Sequence, residues 1–255
     1  MPFELKDGIT LSISLAAFGL SSLSFFQKRA ESIQNLRKRL TEILKELSEL
    51  TLKDATFRSL QNKDSYPPNY VGLLSDQRRF FVREAATLAE TAGIDVSAHE
   101  KNLIAMTFDS IDFAEDAEHF FKSATEGDSS QIDRGLSWRN YGRFLYQQGS
   151  FDEGAKAFEN AIEAFTTDDE RSRYYRVTTY TRWAEATKAT TGNWAARKQG
   201  RMLIMKAWNE AFDLRPFRRR ENELARIGEL AASYGLPVPE NQRFKEDEFK
   251  TDTKR

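Results

Sequence analysis

The residues that could do chemistry are few. The chain has no cysteine and two histidines, which removes thiolate nucleophiles, thiolate metal sites and disulfides together. His99-Glu100 opens like a zinc-protease helix, but Leu103 stands where the second histidine is required. Glu115, Asp116, Glu118 and His119 include a Glu/His pair one helical turn apart. A di-metal carboxylate centre needs a second helix of that kind, which the sequence lacks, so the cluster reads as a solvated acidic face. There is no Gly-rich phosphate loop and no G-x-S-x-G elbow. The sequence therefore predicts no catalytic residue, no metal and no cofactor, and it does not read as an enzyme.

The remaining pattern concerns helices and their surfaces. Apolar residues make up 40% and charged ones 30%, too polar for a multi-span membrane protein. Abundant Ala, Glu, Arg and Leu with only six prolines favour an all-α chain. A net charge of −1 argues against nucleic acid as a partner. The run Arg218-Arg219-Arg220 is short and has no interleaved stacking aromatics.

Between Gly135 and Phe165 the side chains Trp138, Tyr141, Gly142, Leu145, Gly149, Phe151, Phe158 and Ala161 fall at one set of offsets. Ala105, Phe108, Ala117, Phe121 and Ala124 repeat five positions of that register 37 residues upstream. The stretch resembles a tetratricopeptide repeat, a helix-turn-helix unit, over about residues 98 to 216. The resemblance implies a TPR-like α-solenoid over 75–236. Its repeats fall at about 98–131 and 135–168, with a degenerate third at 172–216, and a capping helix follows at 218–235. In such proteins the first helices line a concave groove that holds a peptide or partner helix. The equivalent positions are Arg139, Arg143, Tyr146 and Gln147 on the middle repeat, Asn102, Met106 and Asp109 on the first, and Arg182 on the third. Two arginines one turn apart suit a carboxylate or phosphate, hence a partner with an anionic segment. Residues 237–255 read as a disordered polar tail.

Charge divides along this region. Residues 98–170 hold 16 acidic and 6 basic side chains, and 171–220 hold 3 acidic and 13 basic. An anionic partner at the basic end, head-to-tail contact between molecules, or attraction within one array would each use that polarity.

The N-terminal part reads differently. Residues 9–26 carry no charge over 18 residues, about 27 Å as a helix, and basic residues follow. The expectation is a transmembrane helix at 1–27, a single-pass membrane protein with its N-terminus outside and its C-terminal domain cytoplasmic. A cleaved signal peptide and a buried core helix are the rivals. Thr10, Ser14, Ala17, Ser21 and Ser24 share one face, suited either to helix association or to hydroxyls bonding their own backbone. Ile33, Leu36, Leu40, Ile43, Leu47 and Leu50 then follow 3-4 spacing within a juxtamembrane stalk at 28–53. That seam serves a coiled coil between copies, making a homo-oligomer, or an amphipathic helix folded back on its own domain. Residues 54–74, with Pro67-Pro68, read as a linker. The expected function is a membrane-anchored adaptor recruiting a protein partner; the alternative is an oligomeric membrane effector or subunit of a larger membrane complex.

Overall fold

The structure is a computed structural model. It describes residues 5–59, 69–127, 129–189, 194–238 and 242–244, without the side chains of 5–26, 58, 189, 194 and 217. The described residues form helices and connecting turns without a strand: α1 (Leu5–Ser59), α2 (Tyr70–Ala89), α3 (Ala98–Asp109), α4 (Ala114–Glu126), α5 (Gln131–Gln147), α6 (Phe151–Ala164), α7 (Glu170–Ala189), α8 (Trp194–Ala211) and α9 (Phe217–Ser233). Two compact units divide between Val96 and Ser97.

The first unit is a helical hairpin. No Gly or Pro interrupts Gln27 to Lys53, and α1 runs unbroken for 55 residues. Its seam packs against α2: Leu40, Ile43, Leu44, Leu47 and Leu50 are buried, facing Leu74, Val82 and Ala85. Burying a leucine fully is worth roughly 1.5–3 kcal/mol, so these contacts dominate the hairpin. Self-association through Leu40, Ile43 and Leu47 is therefore corrected, because α2 of the same chain covers those side chains. Ile33 and Leu36 are partly exposed at the end of the seam. Asp54 and Arg78 close the other end as a buried ion pair at 3.0 Å, and Arg78 also donates to the Leu50 carbonyl at 3.3 Å.

Three expectations for this region change. Among the described residues no helix is long and apolar enough to cross a membrane. This corrects the single-pass placement with an outside N-terminus and a cytoplasmic remainder. Residues 9–26 lead directly into the polar heptads of α1, and six of those 18 residues are Ser or Thr, which dilutes the apolar surface a hydrocarbon core requires. The side chains of Ser14, Ala17 and Ser21, with the association stripe they form, lie outside the described residues. The expected linker at 54–74 narrows, since α1 continues to Ser59 and α2 begins at Tyr70; Pro67-Pro68 lies outside the described residues. Finally, α2 belongs with α1, and the array starts at Ser97.

The second unit is a row of hairpins, α3–α4, α5–α6 and α7–α8, of the α-solenoid kind. The first helices α3, α5 and α7 pack in series, α4 and α6 each contact the next hairpin, and α9 packs on α8. Local chemistry sets the boundaries. Ser97 and Glu100 form a reciprocal capping box on α3, and Ser130 caps α5 by accepting from the Asp133 N–H. Gly149 ends α5 at φ 82°, a left-handed conformation that a side chain disfavours. Gly142 and Gly154 sit where α5 and α6 touch. A Cβ on Gly142 would lie 3.0 Å from the Phe158 ring, and one on Gly154 would lie 2.5 Å from the Tyr146 ring. Ala117, Phe121, Ala124, Ala157, Phe158 and Ala161 fill the core, whereas Phe151 is 45% exposed. The tail is not uniformly polar and open: Phe244 is buried against Trp208 because its ring has an apolar seat on α8. The rest of that tail beyond Val238, apart from Gln242–Phe244, lies outside the described residues.

Candidate functional site

The helix row α3–α5–α7 presents the side chains singled out from sequence, and it sorts them into two kinds. Asn102 and Tyr146 are packing residues, which corrects their assignment to the groove. Asn102 is 5% exposed; its Nδ2 donates to the Ala98 carbonyl at 2.9 Å and to Ser137 Oγ at 2.7 Å, joining α3 to α5. Its buried Oδ1 has no partner among the described residues. Tyr146 is 7% exposed, lies against Gly154, and its hydroxyl accepts from Trp183 Nε1 at 2.9 Å. Burial raises its pKa, and the Trp183 hydrogen bond opposes that. Both residues lock neighbouring hairpins together. Met106 and Gln147 are exposed.

The arginines behave otherwise. Arg139 points from α5 toward α7, where its Nη1 donates to Thr178 Oγ1 at 3.2 Å. Among the described residues no carboxylate pairs with it. Burial lowers its pKa to about 10, and Arg182 and Arg143 push in the same direction, while Tyr175 and Tyr174 partly oppose. Arg143 reaches Asp109 of α3 at 3.9 Å, too long for a hydrogen bond. The Asp109 pKa is raised, by burial first, with Arg143 opposing and Asp112 adding to the rise. Arg182 pairs with Glu185 at 2.9 Å, and Glu185 also accepts from Arg226 of α9 at 2.8 Å. Acids thus sit at the two ends of the cluster, Asp109 and Glu185, and the guanidinium in the middle is the one without a counter-ion.

The charge polarity along the array is partly used inside the molecule. Asp168 pairs with Arg173, and Glu170 accepts the Arg215 backbone N–H at 2.6 Å. Arg176 ties three places together, donating to Glu210 at 2.9 Å and to the carbonyls of Phe165 at 2.7 Å and Thr167 at 3.2 Å. Burial raises the Glu210 pKa against the pull of Arg176. These contacts secure α7 between α6 and α8, and none of them reaches Arg139.

Sequence reasoning did not single out Thr178. Residue type gave only a weak signal: Thr178, Thr179, Thr181 and Thr187 lie inside one helix, where β-branched hydroxyl residues are poor formers, but Thr181 Oγ1 donates to the Val177 carbonyl of its own helix and Thr179 Oγ1 has no partner among the described residues. His99, Glu100, Glu115, Glu118 and His119 form no metal cluster among the described residues. Glu118 instead accepts from the Tyr141 hydroxyl at 3.2 Å; burial, then Glu118, pushes that phenol up to about 12.

Fold and site together define the class: an all-α array of paired helices with a cationic cluster on its row of first helices. No protein-family model matches the chain, and no curated protein matches it. Among solved structures, the crystal structure of BtubC (BKLC) from P. vanneervenii is similar at 15% identity, covering 84% of this chain and 96% of that chain with a TM-score of 0.38. At that level the likeness carries no argument about fold or function.

Proposed function

We propose that the second unit is a tetratricopeptide-type repeat module that holds a protein or peptide partner, with an anionic side chain of that partner set against Arg139. The chain is then a scaffold and not an enzyme, and its working surface is the α3–α5–α7 row. The observation that carries this reading is the state of Arg139. A partly buried guanidinium without a carboxylate, flanked by two more arginines, costs the free fold energy, and an incoming anion removes that cost. Stiff packing residues on either side, Asn102 and Tyr146, hold the row in place so that little ordering remains to be done on binding. A guanidinium with unused N–H donors favours a carboxylate or phosphate group over a neutral amide.

The test is a peptide array probed with the full chain and with Arg139→Met. Peptides bearing Asp, Glu or phosphoserine should be retained by the wild type, lose binding as salt rises, and be lost by the variant. Equal binding of the same peptides by both proteins would overturn the proposal.

A further inference from the structure

One face of α8 holds a short non-helical stretch of the chain's own C-terminal segment, and it does so in the way a receptor holds a linear peptide. Trp208 Nε1 donates to the Gln242 carbonyl at 3.0 Å. Asn209, the next residue, takes both main-chain groups of Phe244: Nδ2 donates to its carbonyl at 3.1 Å, and Oδ1 accepts from its N–H at 2.8 Å. Arg243 pairs with Asp213, in the turn that follows α8. The Phe244 ring is 6% exposed and meets Trp208 edge-on at 6.2 Å.

These contacts divide the labour of peptide recognition. Main-chain hydrogen bonds give affinity whatever the sequence, and side-chain pockets give selectivity. Here the main-chain part is the Trp208 donor and the Asn209 amide, which replaces the pairing a strand edge would offer. The selective part is a seat for an aromatic ring beside Trp208 and a carboxylate, Asp213, for the cation before it. The salt bridge is exposed on both sides, at 55% for Arg243 and 44% for Asp213, so it contributes little to retention.

We propose that this face of α8 is a peptide-docking site for a short non-helical segment with arginine followed by phenylalanine, that Gln242–Phe244 occupies it in cis, and that a partner's Arg-Phe segment binds by displacing this strap. The site is separate from the Arg139 cluster and does not depend on that reading. A tethered occupant acts at an effective concentration on the order of millimolar, so a free segment binds at least ~10-fold more weakly while the strap is seated.

The experiment uses three full-length receptors: wild type, Phe244→Ala and Arg243→Glu. The probe is a fluorescein-labelled synthetic peptide of residues 237–248, read by polarisation. Phe244→Ala should bind it at least ~10-fold more tightly than the wild type, and Arg243→Glu, which sets two carboxylates against each other at an exposed contact, should bind it more tightly by a smaller factor. The same peptide with alanine for Phe244 should not bind, and adding Asn209→Ala to the Arg243→Glu receptor should abolish capture. Arg243→Glu alters an exposed side chain, so it reports even where Phe244→Ala destabilises the fold. Absence of binding to a variant that melts as cooperatively as the wild type would overturn the proposal, because Phe244 would then be an ordinary part of the core. Equal affinity for all three receptors would overturn it too, since the strap would not be holding the site.

Discussion

Replacing Arg139 by methionine should make the protein more stable and less able to bind. Methionine fills a similar volume with no charge, so the substitution removes the guanidinium without opening a large cavity. Lowering the pKa to about 10 corresponds to roughly 3 kcal/mol of unfavourable free energy for carrying the charge in place. An arginine keeps its proton at neutral pH, so that cost stays in the fold as reduced stability. Against it stands the lost hydrogen bond to Thr178, worth about 1 kcal/mol. The net expectation is a gain of about 1–2 kcal/mol. At roughly 2–4 °C per kcal/mol for a chain of this size, calorimetry should show Tm rising by several degrees. The same variant should fail to hold acidic peptides. A lower Tm for Arg139→Met would refute the reasoning, because it would mean that the guanidinium is satisfied in the free fold and serves packing, with no need of a partner's anion.

Three further outcomes test the framework that positions the site. Asp54→Ala leaves Arg78 buried and uncompensated, so it should cost about 3–5 kcal/mol in chemical denaturation, while the double change Asp54→Leu with Arg78→Met should recover most of that loss; equal losses from the single and double variants would sink the ion-pair account. A Cβ on Gly200 would lie 2.4 Å from the Tyr234 ring, so Gly200→Ala should force α9 off its seat and cost about 1–3 kcal/mol, and an unchanged Tm with Tyr234 still hydrogen-bonded to Thr187 would show that the ring can give way. Hydrogen bonds from the Thr167 hydroxyl, the Ser172 N–H and the Ser172 hydroxyl hold the Asp169 carboxyl well below the usual range. A depressed folded pKa contributes stability that is present above the unfolded value and is lost as pH falls through the folded one. The stability gap between wild type and Asp169→Ala should therefore be constant above about pH 5 and shrink below it, and a gap that stays level down to pH 2 would contradict this.

The fold was legible where one residue type answers one geometric demand. Gly142 and Gly149 marked a close approach and a left-handed turn, Ser97 with Glu100 marked a helix start, and the recurring Ala and Phe positions marked the faces of paired helices. Each signal is local, so the sequence holds it whole. The seam of α1 shows the opposite case. Leu40, Ile43 and Leu47 have the spacing of a coiled coil, and spacing alone does not say whether the covering helix comes from another copy or from about 30 to 45 residues further along the same chain. The candidate site fails in the same way at a finer scale. Arg139 and Arg143 look equivalent in the sequence, one turn apart on α5. They diverge because Asp109 of α3 reaches one of them and no described acid reaches the other, a difference set by helices 30 to 40 residues away. Tyr146 and Asn102 look like groove residues until Trp183 and Ser137 arrive to claim their polar atoms. What separates a working polar residue from a packing one in this array is whether its partner comes from the next hairpin. Arg139 is the member of the cluster for which the fold supplies a hydroxyl and no charge, and that is why the binding argument rests on it.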